Sequence, residues 1–517
     1  MTGGDCAGNT NREAVVVPEK RLVRIEAAGN QATLHWEGKR SLRQVAAGPA
    51  QLVEAHLPAQ SETWIGWPAA YPQGGLLFHG NNKDVLAHLL ASEFRGRVNL
   101  IYIDPPFASG ANYARKVRLR GVPRAVSDGR GNGLGEQVQY SDVWTDDSYL
   151  QFMYERLLLL RGLLAEDGSI YLHCDWRKSH HLRCLMDEVF GAENQRNEIV
   201  WFYPRGGDSE KQFNRKHDTI LYYTKGSDWT FNYHDVLIPY TRKQIDRFDQ
   251  EDERGRFYWN VNPRGERVKT YLRKNGIGEY DVWNIGINAA QIRDVGYPTM
   301  KPEALLERII RASSHPGDIV LDCFAGSGTT AVVAQKLGRR WIAGDDNPVA
   351  IQTTTKRLHA TVSDQVETGR LSTCPGFTVW RVSEGQGKQR VGRQQAVAQV
   401  SVDRLDGPTR PEPIIRVTVE DYVNLRLVEC LQSERSKPLL DRTDWRAMVD
   451  CVMIDPAYDG RVFRVALADI PVKRNELVSG SYELRAPAGE AIVAVKVVDV
   501  LGEELLVAKQ LPNKAKR

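Results

Sequence analysis

The run Leu100-Ile101-Tyr102-Ile103 stops on Asp104-Pro105-Pro106-Phe107, and this one stretch limits the possible folds more than any other. Short apolar runs bounded by breakers read as buried parallel strands. Asp104 then sits at a strand's carboxyl end, the edge of an open α/β sheet where ligands bind. The two prolines fix φ and remove two backbone donors, so the turn is stiff and its carbonyls need partners outside the strand ladder. A carboxylate, free carbonyls and an aromatic ring converge there. They suit an amino group on a flat heterocycle, with Asp104 and the Pro105 carbonyl accepting its N–H bonds while Phe107 stacks on the ring. Taken alone, the same residues also describe a plain strand followed by a proline turn.

A second run supplies a cofactor site. Asp318-Ile319-Val320-Leu321-Asp322 leads into Cys323-Phe324-Ala325-Gly326-Ser327-Gly328-Thr329-Thr330, which reads as strand, glycine turn and helix start. Gly326 and Gly328 let backbone approach a ligand closely, and the helix N-terminus adds positive dipole character. The next strand, Arg340 to Gly344, delivers Asp345, 23 residues beyond Asp322. That is near the spacing at which a second-strand acid takes a ribose hydroxyl pair. No lysine follows the glycines as in a phosphate loop, and Gly-x-Gly-x-x-Gly is absent. A glycine turn and a ribose acid without phosphate anchors fit S-adenosylmethionine.

Around these runs strands and helical stretches alternate, arguing for a parallel, helix-covered sheet. A helix is expected after Asp146-Asp147, ending at Gly168, followed by strand Ser169 to His173, a helix over Ser179 to Phe190 and strand Glu198 to Trp201. Arg21 to Trp36 reads as a β-hairpin about Gly29-Asn30. Ala114 to Gln139 reads as a basic, glycine-rich loop. Pro302 opens a helix with Leu305, Leu306, Ile309 and Ile310 on one face. Between Trp201 and Trp283 lie 17 of the chain's 44 aromatic residues, interleaved with cations such as Arg215, Arg247, Arg267 and Lys269. Such a surface suits phosphates and bases, and an insertion with an aromatic core and a solvated basic face would look the same. The expected division is a β-rich preface over 1–75, a catalytic half over 76–200, a recognition insertion over 201–295 and a cofactor half over 296–360. A linker over 361–410 and a β-rich C-terminal domain over 411–517 complete it.

The net charge of +4 is the small difference of large totals, so local clusters carry any argument about partners. Seven cysteines form no Cys-x-x-Cys pair, which fits a reducing setting. No apolar run approaches the roughly 18 residues of a membrane span. A soluble, cytoplasmic protein, nucleoid-associated when bound to DNA, is the expectation.

Asp104-Pro105-Pro106-Phe107 resembles the catalytic motif of exocyclic-amino DNA methyltransferases. Asp322-x-Phe324-x-Gly326-Ser327-Gly328-Thr329-Thr330 is similar to their cofactor loop, and Tyr297-Pro298-Thr299-x-Lys301-Pro302 to the segment before it. The order, catalytic motif first and cofactor motif last, resembles the permuted beta group, which includes modification subunits of type III restriction systems. The resemblance implies a doubly wound, mostly parallel Rossmann-like α/β sheet and methyl transfer from S-adenosylmethionine to N6 of a flipped adenine in double-stranded DNA. Asp104, Pro105, Pro106 and Phe107 would be catalytic. Asp322, Cys323, Phe324, Gly326, Ser327, Gly328 and Thr329, with Thr299, Lys301 and Asn81, would hold the cofactor, and Asp345 its ribose. Phe107 stands where tyrosine is commoner, Cys323 where proline is frequent, Met300 where glutamine is, and Asn81 where aspartate is usual.

No metal is expected: His173 and Cys174 adjoin on a strand and point to opposite faces, so with His180, His181 and Cys184 they read as packing. Asp455-Pro456-Ala457-Tyr458 lacks the second proline and reads as a strand end with a turn. The alternatives are N4-cytosine transfer, an RNA or protein-glutamine substrate, or a non-catalytic DNA-binding subunit. A separate restriction subunit and a second copy of the chain are the candidate partners.

Overall fold

The computed structural model describes residues 15–16, 22–26, 33–56, 66–121, 135–204, 208–370, 376–382, 396–405, 413–431 and 444–512. Its centre is a twelve-stranded sheet. Val98–Ile103 lies in the middle, parallel to Ile319–Asp322 on one side and to Leu164–Cys174 on the other. Beyond Ile319–Asp322 come Arg340–Asp345, Gly75–His79 and Phe377–Val382, all parallel. Beyond Leu164–Cys174 come His217–Thr224 and Gln195–Phe202, each antiparallel to its predecessor, and then Val282–Asn284. Leu100, Ile101, Ile103 and Leu321 are at most 1% exposed. Strands this apolar on both faces need cover on both sides. Leu305, Leu306, Ile309 and Ile310 of helix Glu303–Ser313 supply part of it, as their spacing predicts.

Several expectations change. Leu22–Arg24 pairs with Gln44–Ala46 instead of with Ala32 to Trp36; the expected turn at Gly29-Asn30 lies outside the described residues. Trp36 packs edge-on against Tyr154 at 5.8 Å, and the Leu34 amide donates to Glu188 at 3.0 Å. Packing on the main domain overrides a local turn preference. Thr145, one residue before Asp146, caps the helix Asp146–Leu163. Gly168 does not end that helix: it lies inside strand Leu164–Cys174, where a Cβ would meet the Leu164 side chain at 2.8 Å. Part of the expected basic loop is a two-stranded ladder, Asn112–Val117 against Gly135–Ser141.

Phe377–Val382, within the span read as linker, is a strand of the central sheet; residues 385–388 and 394–395 lie outside the described residues. Two further antiparallel sheets follow, one of Ala396–Leu405, Ile414–Asn424 and Ser481–Arg485, the other of Leu467–Asp469, Val449–Asp455, Ile492–Asp499 and Glu504–Gln510. They are fastened to the rest by buried charge. Lys496 donates to Glu54, which also pairs with His56 at 3.1 Å. Asp450 accepts from Lys356 and, at 2.8 Å, from Arg120 Nε. The neighbouring cations hold both carboxyls, Glu54 and Asp450, well below the usual carboxylate range against the opposing effect of burial.

Removing one partner of a buried pair strands the other without water. Lys496→Met should therefore lower stability to urea by roughly 3 kcal/mol, and the double replacement with Glu54→Leu should recover most of it. Unfolding curves of the two variants check this.

Candidate functional site

Strand register brings the two sequence motifs together. Leu321 lies opposite Ile101, and Asp322 opposite Ala343. Asp104 and Phe324 follow the ends of their strands and Asp345 ends its own, so all three lie at the carboxyl edge of three adjacent parallel strands. The cavity at that edge is lined by Asp104, Pro105, Pro106, Phe107, Thr299, Lys301, Asp322, Phe324, Gly326, Ser327, Thr329 and Asp345. It opens onto about 910 Å³ of space, its mouth included. Tyr102, Tyr113, Tyr297, Leu306, Ala325, Thr330, Asp346 and Asn347 complete the wall. Of these Tyr297 and Thr330 stand in the motifs quoted above, and Tyr102 was legible because i and i+2 share a strand face with Asp104.

Three residues expected at the cofactor are placed elsewhere. Cys323 packs in the apolar core. Asn81 Oδ1 caps helix Asn82–Ala91 through the Lys83 amide at 3.0 Å and takes Arg156 at 3.3 Å. Gly328 begins helix Thr329–Lys336 at φ +74, where a Cβ would meet the Thr354 side chain at 2.5 Å. It serves the turn rather than the cavity wall. Arg357, invisible to the motif reading, pins that turn: its guanidinium donates to the Ser327 carbonyl at 2.7 Å, to Thr329 Oγ1 at 3.0 Å and to Glu303 at 2.9 Å.

The two cofactor-side acids are held by backbone. Asp322 accepts from the Phe324 amide at 2.9 Å and the Thr330 hydroxyl at 2.6 Å. Burial, with Asp104 and Asp345 nearby, still pushes its carboxyl up to about 7. Asp345 accepts from the amides of Gly326 and Asn347 at 2.8 and 2.9 Å, and burial raises it to about 6. No hydrogen-bonded cation accompanies Asp322 among the described residues, so a cationic ligand would relieve its isolation. That chemistry fits S-adenosylmethionine, whose sulfonium and ammonium need acids, whose carboxylate needs donors such as Ser327 and Thr329, and whose ribose suits Asp345.

On the catalytic side, Asp104 Oδ2 pairs with the Lys301 ammonium, whereas Oδ1 is buried without a partner among the described residues. Lys301, expected at the cofactor, is turned to the catalytic turn, its ammonium 5.4 Å from the Phe107 ring centroid. His173 lies behind Phe107, ring centroids 5.9 Å apart and planes inclined by 30°. Its ring is fixed by Tyr102 Oη at 2.9 Å and Asp218 at 3.1 Å, and Tyr203 donates to Asp218 at 2.8 Å. Just past the turn, Ala108 takes a positive φ of 51° and Asp142 accepts the amides of Ala108 and Ser109, both at 2.8 Å. A strained non-glycine residue costs about 1 kcal/mol and persists where its surroundings hold it.

The aromatic, basic span divides. His217–Thr224 and Val282–Asn284 belong to the central sheet, while Gln250–Asp252, Gly255–Val261 and Arg267–Tyr271 form a small antiparallel sheet. On the latter, Trp259, Val261 and Val268 are exposed, the Arg267 guanidinium is 5.0 Å from the Trp259 ring, and Lys269 is 4.3 Å from that of Phe257.

A family model described as DNA methylase, of the N6/N4 methyltransferases, matches residues 98–356, half of the chain. Type II methyltransferase M1.MboII of Moraxella bovis is 34% identical over 249 residues, covering 46% of this chain and 88% of its own. DNA adenine methyltransferase YhdJ of Escherichia coli (strain K12) is 29% identical over 271 residues, 50% of this chain and 76% of its own. The type III restriction-modification enzyme EcoP15I Mod subunit of Escherichia coli is 28% identical over 304 residues, 54% of this chain and 46% of its own. With both motifs on one sheet edge and a cavity suited to the methyl donor between them, the chain belongs to the N6/N4 family of S-adenosylmethionine-dependent DNA methylases.

Proposed function

We propose that the chain methylates N6 of an adenine flipped out of duplex DNA at a specific sequence, as part of a restriction-modification or phage-defence system. The observation that carries this reading is the buried, unpaired Asp104 Oδ1 beside the double-proline turn and the Phe107 ring. An acid at the head of that turn leans towards adenine in the group this chain resembles, and YhdJ is named an adenine methyltransferase. Cleavage would belong to a separate restriction subunit, a reading supported by the likeness to a type III Mod subunit, about half of whose length this chain spans.

S-adenosylmethionine, when bound, supplies an electrophilic methyl group on a sulfonium. The residues do the rest by position. Asp104 and the Pro105 carbonyl accept the amino protons, which keeps the nitrogen lone pair from conjugating into the purine. Phe107, backed by His173, sets the plane of the base. Asp322, Asp345, Ser327 and Thr329 hold the donor. Direct attack needs no covalent intermediate, and orientation contributes most of the acceleration. A C5-cytosine mechanism would need a Pro-Cys turn, which the sequence lacks. The exposed aromatic, cationic sheet over 250–271 is the surface for reading neighbouring bases, with stacking faces beside charges.

Asp104→Ala should lower methyl transfer to DNA at least about 100-fold with DNA binding retained; full turnover would remove its assigned role. The backbones of Ile238 and Ile277 bridge each other at 2.9 and 3.0 Å, so a short glycine turn can replace residues 239–276. That variant should keep cofactor binding and lose site choice; unchanged site choice would move recognition elsewhere. Below about pH 7 the Asp322 carboxyl is largely protonated in the free protein, and a cationic ligand favours its charged form. Cofactor affinity should therefore rise with pH by up to about tenfold per unit and level off above 7. Titration calorimetry should show matching proton release, and Asp322→Asn should remove the slope between about pH 6 and 7, leaving below it what Asp345 contributes.

A further inference from the structure

The Lys301 ammonium lies against both groups assigned to the target base, Asp104 and Phe107. We propose that Lys301 is a latch, its ammonium closing the base pocket on Asp104 until an amino-bearing base displaces it; the inference rests on the base-binding role proposed for this turn. Two observations carry it. The ammonium is bonded to Asp104 Oδ2, and it lies 5.4 Å from the centroid of the Phe107 ring. These are the two groups assigned to the base, one for its N–H bonds and one for its face. A base cannot lie flat on Phe107 with its amino group at Asp104 while the ammonium stays over that ring and on that carboxylate. The pair is also largely shielded from water, with side chains 14% and 19% exposed.

The motion that opens the latch is small. Lys301 is held at its backbone, where its carbonyl accepts from Thr329 Oγ1 at 3.4 Å and Pro302 leads into helix Glu303–Ser313. Only the flexible four-carbon stem has to swing. What replaces the ammonium decides whether opening is favourable. Adenine or cytosine brings an exocyclic N–H donor to Asp104 and a flat face to Phe107, so the carboxylate stays satisfied. Thymine places a carbonyl where adenine has its amino group, so at that position an acceptor meets the carboxylate and the bond is lost. The same contact thus selects amino-bearing over keto bases before chemistry, with discrimination arising from a polar group left without a partner.

The test uses the full chain without DNA, with 9-methyladenine and 1-methylthymine as probes and their binding followed by ligand-observed NMR. Lys301→Met should bind 9-methyladenine at least fivefold more tightly than the wild type, while its affinity for S-adenosylmethionine, read by calorimetry, stays within twofold. Lys301→Gln keeps a donor without the charge and should fall between; it also serves if the methionine variant melts at room temperature. Unchanged or weaker adenine binding would overturn the latch. So would a tenfold loss of cofactor affinity, which would make Lys301 a ligand of the cofactor instead. If the wild type transfers no methyl group to DNA while Lys301→Met still gains adenine affinity, the latch stands and the proposed reaction fails.

Discussion

Everything at the site depends on the parallel pairing of Val98–Ile103 with Ile319–Asp322. The contact closes a loop of about 220 residues, and the Asn99 side chain reinforces it by accepting from the Ile319 amide at 3.0 Å. Loop closure over that length costs only slowly growing entropy, and two strands buried on both faces outweigh it. The pairing brings Asp104 to the same sheet edge as Asp322 and, through the next strand, Asp345. A slip of one residue would turn every side chain of one motif to the other face. The order of the motifs along the chain then has no mechanical consequence.

The C-terminal sheets also bear on the catalytic turn. Asn112–Val117 follows that turn directly, and Val117 is buried in their core. Arg115 donates to the Val500 carbonyl at 2.9 Å, Arg120 Nε to Asp450 at 2.8 Å, and the Gly121 amide to the Arg474 carbonyl at 3.0 Å. The segment leaving the active site is thus anchored on the far part of the chain. Asp142 holds its first residues and the C-terminal sheets hold its last.

Much of this was legible in the sequence because it follows from local chemistry. Apolar runs ending on Asp104 and Asp322 gave strands with acids at one edge, and the helix over Ser179–Phe190 follows its apolar spacing. What the sequence hid depends on contacts between distant residues. Nothing local announces that Arg357 pins the glycine turn, that Asp142 clamps Ala108, or that His173 backs Phe107 between Tyr102 and Asp218. Nor does anything local show that the Lys301 stem reaches back to a turn 197 residues earlier, since its neighbours in the sequence belong to the approach to the cofactor loop. Gly168 looked like a helix stop and is a strand glycine, because the Leu164 side chain fills the space a Cβ would need.

The central claim is that this edge methylates N6 of adenine in DNA, and the most direct measurement is single-molecule sequencing of genomic DNA from a host expressing the chain. N6-methyladenine at one short motif, absent from a host expressing Asp104→Ala, is the predicted result. N4-methylcytosine at the motif would contradict the choice of base. A genome without either modification would contradict the reaction itself.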